Sequence, residues 1–153
     1  MNDGNMNTLD AGSFIIYTIE LLIKDNFKDV IIWDEKSLAL KGKYFYISIK
    51  SVQAGIFLGF TIKDKRPDRC IVFCFSDPKS RIDRRIAELL ERIFIDLSIR
   101  LKEKGFIFIK GDLPAIVRKS ADIASMDKND ILEFFKESLY MLLQELNSLT
   151  LRY

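Results

Sequence analysis

Few side chains in this sequence could do chemistry, and two thiols are the first to weigh. Cys70 and Cys74 fall in Cys-Ile-Val-Phe-Cys, which reads as a strand. Four residues at about 3.3 Å each put them roughly 13 Å apart on one face, beyond the ~7 Å Cα separation that a disulfide tolerates. The chain has no histidine, so a four-ligand zinc site would need two carboxylates beside them. The same absence removes imidazole bases and the Ser-His and Cys-His pairs of nucleophilic catalysis. Both cysteines read as reduced, buried small hydrophobes, as expected of a cytoplasmic protein. Paired carboxylates for acid–base work would have to come from separate turns, such as Asp34, Asp64 or Asp112, and nothing sets these apart from ordinary turn residues. The glycines are scattered, with neither dinucleotide-binding nor Walker spacing. The expectation is a chain with no catalytic residue, no metal ligand set and no cofactor, and thus no enzyme.

Binding chemistry is better represented. Tyr44, Tyr46 and Phe57 fall on the outward phase of two alternating strands, where they could meet a partner or stack on bases. The long helix expected after Pro78 has Ile95 and Ile99 stacked four apart on a back that also carries Arg92, which suggests a dimer seam if no loop or terminus folds over them. A basic stretch over 63–85, with Arg66, Arg69, Arg81, Arg84 and Arg85 at its centre, offers phosphate contact as an alternative use. Asp64, Asp68, Asp77 and Asp83 are interleaved with it, which favours local ion pairs. The net charge of +2 is far too small to mark a nucleic-acid protein by itself.

These groups must be held by a fold, and 153 residues, 48% apolar and 30% charged, suit one domain with its own core. Residues 1–12 are polar and read as a flexible arm, with 13–153 as a single domain. Ser13 is placed to cap a helix running to Asp25, and Asn26 to end it in the left-handed region. Strand chemistry follows. Val30–Trp33 is a short run, Asp34–Ser37 a turn, and Leu38–Lys41 leads past Gly42, a turn or bulge, into Lys43–Lys50. Gly55–Lys63 alternates with Ile56, Leu58, Phe60 and Ile62 inward. Lys65–Asp68 reads as a turn, and Arg69–Phe75 is apolar on both faces, as a central strand should be. Short connections favour an antiparallel meander.

Asp77-Pro78 reads as the start of a helix reaching Lys104, with Ile93, Phe94, Leu97 and Leu101 in its apolar stripe. Gly105 ends it, Phe106–Lys110 is a strand, and 115–123 is a second strand or a helical turn. Asp127 or Asn129 opens a last helix with Ile131, Phe135, Leu139 and Leu142 inward and Tyr140 outward. The longest purely apolar run outside the first helix, about seven residues from Ala54 to Phe60, is too short to span a bilayer. The fold class is α+β: helix, antiparallel meander, long helix, hairpin and C-terminal helix, with the helices packed on the sheet.

That order of elements, carried by Asp77–Lys104, Gly105–Ile123 and the helix opening Asp127-Lys128-Asn129-Asp130-Ile131-Leu132-Glu133-Phe134-Phe135, is similar to the type III secretion chaperone-like fold of small bacterial proteins. The resemblance implies a homodimer formed through the middle helix and apolar sheet patches that hold a secreted effector. A toxin-immunity protein has the same kind of task, and the expected partner is a secreted effector or a toxin. The competing order, that of the PD-(D/E)xK nucleases, needs acidic residues on adjacent strands to hold magnesium. Lys43–Lys50, Gly55–Lys63 and Arg69–Phe75 contain none, which disfavours it.

Overall fold

In the computed structural model, residues 9–27, 29–49, 52–76, 84–109 and 116–150 are described. Helix α1 (Leu9–Asn26) precedes four strands, β1 (Ile32–Lys36), β2 (Leu40–Ile49), β3 (Val52–Lys63) and β4 (Arg66–Ser76). Helix α2 (Arg84–Leu101), strands β5 (Ile107–Ile109) and β6 (Ile116–Asp122), and helix α3 (Lys128–Thr150) complete the order. The six strands form one sheet in the order β1-β2-β3-β4-β6-β5, and every neighbouring pair is antiparallel. The α+β class expected from the pattern of residues is the class of this fold.

The alternation of side chains along each strand divides the sheet into two faces. Phe45, Ile56, Cys74 and Val117 share a cross-strand row on the first face, followed by a row containing Lys43, Leu58 and Val72. These apolar side chains are buried against Ile15, Ile19 and Ile23 of α1, Ile93, Phe94, Leu97 and Leu101 of α2, and Ile131, Phe135, Leu139 and Leu142 of α3. Phe60 meets Phe135 edge-to-face at 5.5 Å between ring centroids, a favoured aromatic geometry. Each such side chain adds roughly 1.5–3 kcal/mol on burial, so this layer supplies the main driving force for folding. Lys43 lies in the same layer, and its ammonium pairs with Asp34 directly across the β1–β2 ladder.

Several local boundaries differ from the sequence expectation, each for a physical reason. Helix α1 begins at Leu9, so Ser13 lies inside it and is not its cap, while residues 1–8 of the expected arm lie outside the described residues. Asn26 ends α1 with its side-chain amide donating to the Leu22 carbonyl oxygen, and the left-handed residue is Asp29. Asp34, Glu35 and Lys36 are strand, because Ser37 makes the turn: its N–H donates to the Leu40 carbonyl and its hydroxyl accepts from the Leu40 N–H. Gly42 lies within a continuous β2. The β3–β4 turn is Asp64-Lys65, both with positive φ, a two-residue connection whose twist suits a hairpin. Arg66, Pro67 and Asp68 therefore belong to β4. Pro67 is tolerated near the start of that strand because the ladder shifts register beside it, between Thr61 and Ile62.

Other expectations hold. Lys102–Lys104 prolong α2 as a 3₁₀ turn, and Gly105 closes it at φ 93°, where a residue without Cβ carries no strain. Of the open choice over 115–123, Ile116–Asp122 is strand. Asp127 caps α3: the Asp130 N–H donates to its carboxylate at 2.8 Å, and Asp130 accepts from the Asp127 N–H at 3.2 Å. The expected helix start at Asp77-Pro78 lies outside the described residues. Among those residues no helix is long and apolar enough to cross a membrane.

Candidate partner-binding face

The second face of the sheet carries a connected set of aromatic side chains. In the observed register Trp33, Tyr44, Phe57, Phe73, Arg118 and Ile107 stand opposite one another, one residue from each of the six strands. At about 4.8 Å between strands this row crosses roughly 24 Å of sheet. Tyr46, Gly55, Phe75 and Ile109 belong to the next row, and Glu35, Gly42, Gly59, Ile71 and Ser120 to the row on the other side. No helix among the described residues contributes to this face, since the helical core residues all pack on the first one.

The aromatic side chains here form one connected cluster. Tyr44 lies 4.8 Å from Phe57, which stacks on Phe73 at 4.9 Å and an interplanar angle of 25°. Phe75 meets Tyr44 at 5.9 Å and Tyr46 at 6.0 Å, both edge-on, and Trp33 closes on Tyr46 at 5.2 Å. Two glycines make room for it. A Cβ on Gly42 would stand 2.6 Å from the Gly59 Cα and 2.8 Å from the tip of the Phe57 ring, and Gly59 is matched in the same way. The ring of Phe57 thus fills the notch left by two opposed glycines.

The structure brings Tyr44, Tyr46 and Phe57 together, but they differ in exposure. Phe57 was expected to reach outward to a partner and is instead 0% exposed, because Tyr44, Phe73 and the glycine notch enclose its ring. It is the floor of the surface. Tyr44 and Tyr46 are half-buried, while Trp33 is 45% exposed and Ile107 and Ile109 also face solvent. Tyr44 is desolvated and its hydroxyl bonds to Glu35, which together push its pKa up to about 12. Trp33, Phe73, Phe75 and Arg118 were not singled out from sequence. The alternation of Ile71, Phe73 and Phe75 against Cys70, Val72 and Cys74 was visible, but an apolar strand on both sides reads as covered on both.

The other expected sites fall elsewhere. Ile95, Ile99 and Arg92 are all exposed on α2, and Ile99 keeps 66% of its surface. The neighbouring Arg100 turns the other way, pairing with Glu145 of α3 at 3.2 Å and donating to the Ser148 hydroxyl at 3.3 Å. Of the basic stretch, Arg66 opens β4, and ten residues of strand, roughly 33 Å, separate it from Ser76, beyond which the chain leads to α2. Arg69 faces Asp122 across the β4–β6 ladder, and Arg84 pairs with Glu88 at 3.3 Å. Arg85 shares the exposed first turn of α2, and Arg81 lies outside the described residues. Among the described residues Arg66 and Arg69 stand near the start of β4, and Arg84 and Arg85 in the first turn of α2.

Cys70 and Cys74 are both buried on the helical side and unbridged. Burial pushes the Cys70 thiol up to about 12 and raises that of Cys74 as well, so neither is a ready nucleophile. Among the described residues no cluster of three or more metal-ligating side chains occurs.

No protein-family model matches the chain, and no curated protein matches it. Among solved structures it is similar to an uncharacterized protein from Methanothermobacter thermautotrophicus, with 11% sequence identity and a TM-score of 0.44 over 91% of this chain and 99% of that one.

Proposed function

We propose that this chain is a protein-binding module rather than an enzyme, one that holds or neutralises another protein in the manner of a secretion chaperone or a toxin-immunity protein. The observation that carries this reading is the row from Trp33 to Ile107, rich in aromatic side chains, on a sheet face to which no helix among the described residues contributes. Contiguous apolar surface on a soluble domain is costly to leave in water, and such patches mark interaction sites. Rigid aromatic side chains also supply large contact area at small entropic cost, which is why they dominate binding hot spots. The expected partner is a secreted effector or toxin that lays an apolar segment across the strands. In this reading the module works in the cytoplasm as a homodimer, with Ile95 and Ile99 as the apolar seam and Arg92 at its edge.

The nucleic-acid alternative draws less support, because two arginines of the basic segment, Arg69 and Arg84, face carboxylates. Affinity capture from the native host, run with and without nuclease and eluted across a salt gradient, separates the two. A stoichiometric protein that resists nuclease and high salt, and that is lost when Trp33 and Tyr46 are changed to Ser, is the expected result. Nucleic acid released at moderate salt would contradict it, since phosphate-driven binding falls steeply with salt.

A further inference from the structure

Arg118 is the one charged member of the row that crosses the sheet. It stands between Phe73 of β4 and Ile107 of β5, one strand in from the β5 edge of the helix-free face. Its Nε is buried and has no hydrogen-bond partner. Its neighbour Lys119, on the helical side, contrasts with it: the Lys119 ammonium lies over the rings of Phe106 and Phe134 at 5.9 and 6.0 Å. The carboxylate of Asp122, on the same strand and face, is four residues away, roughly 13 Å, and sits opposite Arg69. Glu35, at the far side of the sheet, bonds to Tyr44. A half-buried guanidinium whose Nε is already cut off from water is thus set among apolar side chains, with no carboxylate paired to it among the described residues.

We infer that Arg118 is a recognition residue for a carboxylate: the segment that docks on this face is a protein strand with an Asp or Glu flanked by apolar side chains. This inference rests on the reading of the face as a docking surface and specifies its partner's chemistry. A partly desolvated guanidinium binds a carboxylate through two parallel N–H···O bonds, and such charge-assisted bonds are stronger than neutral ones. The flanking Phe73 and Ile107 side chains exclude water and strengthen the pair. One cation within an apolar row suits one carboxylate on an extended chain. A nucleic-acid backbone presents a phosphate at every nucleotide and needs a basic groove, and the carboxylate of Glu35 on this face opposes it.

The test selects binders from a randomised nine-residue peptide library on the full chain and on its Arg118→Gln variant. Emission from Trp33, the only tryptophan of the chain and itself on this face, follows the titrations. Peptides selected on the wild type are expected to combine aromatic or aliphatic residues with Asp or Glu. Changing that acid to its amide should weaken binding about tenfold, a loss of the size expected for a charge-assisted pair. On Arg118→Gln the acidic preference should vanish while apolar peptides still bind. Apolar binders with no acidic preference on the wild type would overturn the carboxylate assignment and leave the docking face standing. Absence of any binder would overturn both. A ten-nucleotide oligothymidylate that binds in an Arg118-dependent way would replace the carboxylate with a phosphate and overturn the assignment as well.

Discussion

Tyr44 shows how far a single side chain on the sheet face departs from its behaviour in water. Its hydroxyl is desolvated and bonded to Glu35, so the neutral phenol is favoured and ionisation moves to about 12. The unfolded chain releases this proton near the ordinary tyrosine value of about 10. Stability is therefore fully present below about pH 10 and declines as pH rises from there through about 12. A spectrophotometric titration should contain a late component that Tyr44→Phe removes, whereas a late component that persists would place the desolvated phenol elsewhere. The two thiols follow the same logic, since burial raises both. Cys70 and Cys74 should resist iodoacetamide at mildly alkaline pH in the folded chain and react once guanidinium unfolds it. Fast labelling of the folded protein would show that the sheet opens at its centre.

At the scale of elements, the helix-free face depends on close approach of β2 and β3. Gly42 and Gly59 oppose each other, and a Cβ on Gly42 would strike the Leu58 carbonyl, which cannot rotate away. Gly42→Ala or Gly59→Ala is expected to destabilise the fold by about 1–3 kcal/mol, measured by chemical denaturation. Gly55→Ala should cost less, because the obstacle there is the Phe75 ring, a side chain that can yield. Equal costs at all three positions would contradict the notch. The dimer proposed through α2 gives a second expectation, that Ile95→Asp with Ile99→Asp yields a monomer with unchanged circular dichroism. Unfolding of that variant would make these residues core, and a surviving dimer would move the seam elsewhere. Element types were legible in the sequence because periodicity reports them: the stripe Ile131–Phe135–Leu139–Leu142 can only be one helix face. Boundaries were less so. Pro67 looked like turn chemistry although the turn belonged to Asp64-Lys65, and only the register shift beside Pro67 explains how a strand accepts it.

For the whole molecule, three helices pack on one side of a six-stranded sheet, and among the described residues the other side is formed by the strands. On that side aromatic rings lie over glycines, which buries Phe57 completely while Trp33, Ile107 and Ile109 stay exposed. Sequence reading located part of this surface, because Tyr44, Tyr46 and Phe57 follow a clean alternation. It missed Trp33 and Arg118, whose membership depends on which strands become neighbours. That order, with β6 inserted between β4 and β5, is a long-range property that no local pattern encodes.

The proposed role of this face is to receive a protein. It is tested most directly by placing a photo-crosslinking amino acid at Trp33 or Tyr46, and as a control at the exposed Tyr140 of α3, then irradiating the protein in its native host. A discrete adduct with another protein is expected from the two sheet positions and none from Tyr140. Adducts to nucleic acid at the sheet positions, or a protein adduct formed from Tyr140 alone, would contradict it.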